Sequence, residues 1–529
     1  MTPSSELAVL PPRRRIRPRQ PAPAGLLGAA LVVVGLVLLP LAFLLLQAAQ
    51  VGWSTLSPLL FRHLTLTLLW NTVRLAAAVT VVCAVVGVAV AWCVERTELP
   101  WRRFWRVVLV LPLAMPDFVL GYSWISLIPG VHGYWGSVLV MSLGSFPLVY
   151  LPVAASLRTA DPGLEDVARG LGLSRTQTFF RVTLHQVRPA VVGGSLLVAL
   201  ILLAEFGTFE ILRFQTFTTQ IYSEIEIGFS TAAGCALSLV LVALGLAVLA
   251  AEAFARGRGG GARRGHAARP APRARLGRAT VPVVAALGAL IGLAIGLPLY
   301  ALGYWFWEGT SSTLPPISII QAALHTAAYS AAAAALATAA AVPIALLVER
   351  HRSATTLAME RSTYIVQALP GIVVGFSLVY FTVRYAPGVY LTSSELVFAY
   401  AAMFFPLALV AVRAGVAQAP AGLEEVARSL GHGRLSVLAR VTLPILAPAL
   451  AAGFCLVFIS ASTELTATLI LRPTGVETLA TGFWAFTRDF SYGAAAPYAL
   501  ALLLVATAPA LLLGRWFERI AGAAQRTGT

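Results

Sequence analysis

Four carboxylates, Asp117, Glu205, Glu210 and Glu464, stand in or beside long apolar runs of this sequence. An ionisable side chain in such a setting is costly, so it marks a pathway, a gate or a structural brace. Carboxylate oxygens suit a hard cation. Glu205 and Glu464 also occupy matching points of an internal repeat, as expected for residues that cap or brace helices beneath a gate, whereas Asp117 follows Pro116 at an expected helix break. Asp117, Glu205 and Glu464 are therefore the candidates for the pathway or gate. The other reactive residue types form no recognisable centre. The seven histidines are scattered without an HExxH or a comparable pair. Cys83, Cys93, Cys235 and Cys455 all fall inside apolar runs and read as small packing residues, so no metal site is expected. No lysine occurs anywhere, which rules out a GxxxxGK[ST] phosphate loop and with it a Walker-type ATPase in this chain. No nucleophile–base pair stands out, and no catalytic residue is expected.

A second polar feature occurs twice. The stretch LEDVARGLGLSRTQTFFRVTLHQVRPA runs from Leu164 to Ala190, and LEEVARSLGHGRLSVLARVTLPILAPA from Leu423 to Ala449. In the first copy Leu164, Val167, Ala168 and Leu171 recur at helical spacing, while Glu165, Asp166 and Arg169 lie off that stripe. Pro162 fits the first turn of such a helix and Gly172 the left-handed residue that ends it. Ser174 with Gln177 then makes a capping box for a second helix. Leu423, Val426, Ala427, Leu430 and Gly431 repeat the design. The product is a helix–glycine–helix elbow, too polar to span a membrane and too small to stand alone. Two copies point to a paired docking surface. A helix-turn-helix for DNA does not fit a loop of roughly thirty residues tethered at both ends to membrane spans.

The elements that position these residues follow from composition. With 58% hydrophobic residues, 11% charged and a mean hydropathy of +0.82, the 529 residues exceed what a water-soluble core can bury. Apolar runs near 25–47, 66–93, 105–128, 134–157, 189–212, 231–254, 280–303, 320–348, 362–383, 395–417, 446–470 and 494–514 give about twelve spans. Because lipid offers the backbone no partners, they are expected to be helices, an all-α polytopic membrane protein. The net charge of +16 is carried by arginines in alternate loops. By the positive-inside rule both termini are expected in the cytoplasm, with membrane lipid and no nucleic acid as the surrounding partner.

The halves align at constant offsets. Thr72 matches Thr326, the VER ending at Arg96 matches that ending at Arg350, and Pro116 matches Pro370, each 254 residues apart; Glu165 matches Glu424 and Glu205 matches Glu464, each 259 apart. Six spans per half bring both copies in with one orientation, a parallel repeat. The expected organisation is a first repeat over 1–255 with an elbow loop at 158–188, a basic Gly/Pro/Arg-rich linker over 256–279, and a second repeat over 280–529 with an elbow loop at 418–446.

The pattern E-A-A-x-x-x-G, nine residues, then I-x-L-P is the loop signature of the membrane subunits of binding-protein-dependent ATP-binding-cassette importers, and this sequence resembles it twice. Glu425, Val426, Ala427, Gly431, Val441, Leu443 and Pro444 match at full spacing; Asp166, Val167, Ala168, Gly172, Val182 and Leu184 match less closely, with Asp for Glu and His185 for Pro. The resemblance implies the type I importer transmembrane fold and a bacterial cytoplasmic (inner) membrane location. It also implies that each elbow is a coupling helix seated on one of two copies of a separate ATPase, which would hold ATP and magnesium, this chain binding no cofactor of its own. Carried over, Glu165, Asp166, Ala168, Glu424, Glu425 and Ala427 are the ATPase-coupling candidates, and Gly172 and Gly431 make the bend. The fused halves, with AEFGTFEILRFQTFTTQIYSEIE from Ala204 to Glu226, look most like iron(III) importer permeases, supplied by a periplasmic substrate-binding protein. Thiamine, polyamine and phosphonate permeases share the layout. The rival from another class, a major-facilitator-type secondary transporter, would place G-x-x-x-D-R-x-G-R-R between spans two and three, where this chain has ERTELPWRRFWR.

Overall fold

The computed structural model describes residues 23–228, 230–259, 273–309 and 316–526, so the arginines from Arg13 to Arg19 and most of the linker expected over 256–279 lie outside it. The described residues form helices and no named strand; one rung of parallel β pairing joins Thr97 to Ala274. Among the described residues ten helices are long and apolar enough to cross a membrane, and counting each of two bent pairs as one span gives twelve. That agrees with the twelve apolar runs.

The bends refine the reading of 105–128 and 362–383. Arg102–Ala114 meets Asp117–Leu127 at 90°, and Ala354–Ala368 meets Gly371–Tyr385 at 103°. The cause is local: proline lacks an N–H and drives the residue before it into extended backbone. Met115, before Pro116, has ψ 126°, and Leu369, before Pro370, has ψ 109°. The spans expected over 189–212 and 446–470 are shifted. They run as Leu184–Ala204 and Leu443–Ser462, each entered through a π-helical turn at Phe179–Thr183 or Leu438–Thr442, and a short helix follows each at Gly207–Ile211 and Thr466–Leu471. The residues that replace continuous helix are the ones flagged by type, Asp117 after one bend and Glu205 and Glu464 at the two breaks.

The repeats are not separate bodies, because each lends its first helix to the other. Ala24–Val51 packs on Pro316–Arg350 and Gly371–Tyr385 of the second half. There Phe43 meets Phe381 with ring centroids 4.4 Å apart, and the Gln50 side chain hydrogen-bonds with Tyr380 and Tyr385. In return Leu297–Glu308 packs on Asp117–Leu127 of the first half. Such an exchange places the functional elements of both halves against one another along a shared seam.

Candidate functional site

The elbows come first, built from Pro162–Gly170 and Ala421–Ser429, which repeat 259 residues apart. Asp161 accepts from Gly163 N at 2.8 Å and so caps the first, which Pro162 opens. Both end at a glycine with φ +87°, Gly172 and Gly431, a backbone region that side-chain-bearing residues rarely adopt. The N–H of Leu173 then bonds Ala168 O at 3.1 Å and that of His432 bonds Ala427 O at 3.2 Å, closing the helix end in both copies. The capping box of Ser174 and Gln177 is present.

Each elbow turns its carboxylate inward and its leucines outward. Glu165 is buried, with its Oε1 3.1 Å from Arg96 Nη2 and accepting from Thr183 Oγ1 at 2.9 Å. Glu424 lies 3.3 Å from Arg350 Nη2. Ala168 and Ala427 are buried, and their small size allows the close seat. The apolar stripe faces away from the bundle: Leu164, Val167 and Leu171 are 52%, 62% and 79% exposed, and Leu423, Val426 and Leu430 are 47%, 56% and 74% exposed. Asp166 and Glu425 are exposed beside them. Thus, of the residues singled out in sequence, Asp166 and Glu425 lie on the outer surface, while Glu165, Glu424, Ala168 and Ala427 lie toward the permease. Sequence reasoning did not pick out Arg96 and Arg350 as the partners of these glutamates, although the repeated VER tripeptide carried the signal.

The second place is the seam at mid-bundle. Glu205 Oε1 accepts from Thr208 N at 2.7 Å, and Glu464 Oε1 accepts from Ala467 N at 2.9 Å, so each carboxylate caps the short helix that follows its break. Thr218 Oγ1 and Thr468 Oγ1 donate to the backbone oxygens of Glu205 and Glu464 at 2.6 and 2.7 Å. Asp117 starts the helix after the first bend; its counterpart after the second is Gly371, where a Cβ would stand 2.6 Å from Glu464 Oε1. Glu464 therefore fills the space that a side chain at 371 would need.

Around these carboxylates the halves meet in an apolar and aromatic plug that sequence reasoning missed. A Cβ on Gly207 would lie 2.8 Å from Phe118 Cβ and 3.0 Å from Leu465 Cδ2, so no larger residue fits. Phe118 and Phe483 centroids are 5.3 Å apart, those of Phe206 and Trp484 5.2 Å, and Tyr122 donates to Tyr492 O at 2.6 Å. On the side away from the elbows Arg488 pairs across the seam with Glu226 at 3.1 Å, and Arg213 stands over the Phe490 ring at 5.7 Å. One cavity there, lined by Glu210, Arg213, Trp484 and Arg488, holds about 220 Å³, and another, lined by Asn71, Glu210, Arg213 and Gln220, about 490 Å³. Toward the elbows a cavity of about 1020 Å³ is lined by Leu197 and Leu246 of one half and Arg361, Tyr364, Gln367 and Val410 of the other.

The capping geometry makes a measurable claim. Glu205→Gln and Glu464→Gln keep an acceptor and are expected to melt like the parent, while the alanine variants lose about 0.5–2 kcal/mol, the usual cost of a removed cap. Equal melting temperatures for the alanine and glutamine variants in detergent would remove the brace.

Residues 84–256 and 341–521 each match the family described as binding-protein-dependent transport system inner membrane component, one match in each half. Over 495 residues the chain is 36% identical to a Fe(3+)-transport system permease protein of Haemophilus influenzae, covering 92% of this chain and 97% of that protein. A ferric transport system permease protein of Actinobacillus pleuropneumoniae is 23% identical over 480 residues, 82% of this chain and 69% of that protein. A sulfate transport system permease protein of Escherichia coli is 30% identical over 197 residues, 34% of this chain and 71% of that protein.

Proposed function

This chain belongs to the family of binding-protein-dependent transport system inner membrane components, and we propose that it is the membrane permease of an ATP-driven importer of iron(III). The observation that carries the mechanism is the pair of elbows with outward apolar stripes. Exposed leucines of this kind, rimmed by Asp166 and Glu425, mark an interaction surface. Two of them, repeated at matched positions, fit two copies of a cytoplasmic ATP-binding-cassette ATPase, which holds the ATP and magnesium that this lysine-free chain has no phosphate loop to bind. The arginine-rich loops and the elbows then face the cytoplasm, with both termini, and the Arg488–Glu226 side faces the periplasm and a substrate-binding protein.

The plug of Phe118, Phe206, Leu465 and Phe483 is the barrier between the two sides. Asp117, Glu205 and Glu464 border that barrier, the latter two as braces that set its position and Asp117 as the pathway carboxylate. For the cargo, the support is the near full-length likeness to a permease named for Fe(3+) transport.

The test is uptake in liposomes holding the chain, its ATPase and its binding protein. ATP-dependent uptake of ferric iron is expected; uptake of thiamine, a polyamine or a phosphonate in its place would reassign the cargo. Uptake driven by a proton gradient without the ATPase would sink the importer reading. Charge reversal at the rim, Glu425→Lys, is expected to lower uptake at least about tenfold, as lost charge complementarity at an interface does, with the protein still inserted. Unchanged uptake and ATPase capture in that variant would count against docking at this elbow.

A further inference from the structure

The two elbows are pinned alike but supported differently. In each half the arginine that ends the long VER helix reaches the first glutamate of the elbow, Arg96 to Glu165 at 3.1 Å and Arg350 to Glu424 at 3.3 Å. Around the first pin there are further ties. Thr183 Oγ1 donates to Glu165 Oε1 at 2.9 Å, and the Gln186 side chain accepts from Asp161 N at 3.0 Å. The chain entering the second half also lies across the base of this pin: Ala274 N donates to Arg96 O at 2.8 Å, Glu98 N donates to Ala274 O at 3.0 Å, and Arg275 stands 3.7 Å from Glu98.

The second pin has a thinner setting. Arg350 Nη2 divides itself between Glu424 and Ala419 O at 3.1 Å, while Glu424, like Glu165 with Arg169 at 3.8 Å, shares its other oxygen with the arginine one turn on, Arg428 at 3.3 Å. Thr442, at the position of Thr183, makes no side-chain bond to Glu424 among the described residues, and Ile445, at the position of Gln186, has no side-chain acceptor to offer.

We propose that Arg96 and Arg350 are positioning residues that carry partner motion from elbow to span, and that the second elbow depends on Arg350 while the first is held redundantly by Thr183 and the Ala274 strap. The proposal rests on the docking reading of the elbows. A lever must be stiff where it joins its load. The outer face of each elbow meets the partner through leucines and valine, so force applied there rotates the elbow unless its inner face is fixed. A mostly buried ion pair is such a fixture, since parting it strands a charge away from water. Losing one pin alters the coupling between ATP use and transport, because a slipping elbow lets the ATPase turn over without moving the spans.

The experiment uses the full chain with its ATPase and binding protein in liposomes, and reads ATP hydrolysed per ferric ion imported. Arg350→Gln is expected to raise that ratio about tenfold and Arg96→Gln about twofold, magnitudes typical of site-to-site coupling, with assembly and ATPase rate retained. Adding Ala274→Pro, which deletes the N–H bonded to Arg96 O, is expected to move Arg96→Gln toward the Arg350→Gln ratio. The exchanged pair Arg350→Glu with Glu424→Arg is expected to recover coupling. An Arg96→Gln effect equal to or larger than that of Arg350→Gln overturns the inequality. A proportional fall of ATPase rate and uptake, or no recovery in the exchanged pair, overturns the positioning role. Uptake by the parent chain without any ATPase defeats the docking reading itself, whereas a coupled parent whose ratio ignores both arginines defeats only the pins.

Discussion

Aspartates placed at Val426 and Leu430 are expected to abolish capture of the ATPase and ATP-driven uptake, with the chain still folded in the membrane. Val426 and Leu430 are 56% and 74% exposed on the outward face of the second elbow, so most of each side chain is available to a partner. Fully burying such a side chain contributes roughly 1.5–3 kcal/mol. A carboxylate in its place adds a desolvation penalty of at least about 2 kcal/mol when nothing pairs with it. Together the two changes weaken binding by roughly 4 kcal/mol or more, about a thousandfold in the dissociation constant. The fold of the elbow is untouched, because it depends on the inward Arg350–Glu424 pair and on Gly431 with φ +87°. Co-purification from detergent, with size-exclusion profile as the folding check, reads the result. Retained capture would show that the leucine stripe is not the contact.

The amphipathic period of the elbow was legible, and so were its caps, but its direction was not. A stripe of leucines on a short helix ordinarily faces the protein that carries it. Here Glu165 and Glu424 face inward instead, because Arg96 and Arg350 stand at the ends of neighbouring helices and offer a buried carboxylate its partner. That pairing is between residues 69 and 74 positions apart, beyond any local period. The same limit explains the plug. Phe118 and Phe483, or Phe206 and Trp484, come together only when the halves are placed against each other, and a single apolar run carries no trace of it. Pro116 and Pro370, in contrast, announced the bends in the sequence, since proline acts on its immediate neighbour. The exchange of first helices was hidden for the opposite reason: Ala24–Val51 is nearly uniform in hydrophobicity, so no face of it indicates a partner.

The second large effect is expected at the base of the first elbow, where Glu95 serves three arginines. Its side chain is 1% exposed and lies 2.7 Å from Arg106, 2.9 Å from Arg158, and in contact with Arg102. It thereby joins the end of the long helix His63–Arg96 to the short helix Arg102–Val108 and to Pro147–Thr159. Glu95→Gln leaves three guanidinium groups around a neutral amide. Removing one partner of a buried ion pair costs about 3–5 kcal/mol, and the partial solvation of Arg106 and Arg158 favours the lower end. The second half reverses one charge: Glu349, equivalent to Glu95, shares Arg413 with Glu360, which stands where the first half has Arg106. Glu349→Gln therefore leaves Arg413 paired and is expected to cost no more than about 1–2 kcal/mol, the scale of a lost hydrogen bond to a charged group. Thermal unfolding in detergent should separate the two variants by several degrees. Glu95→Gln combined with Arg106→Glu returns a carboxylate to Arg102 and Arg158 and is expected to recover part of the loss. If Glu95→Gln melts with the parent, the three arginines are held by something other than this carboxylate.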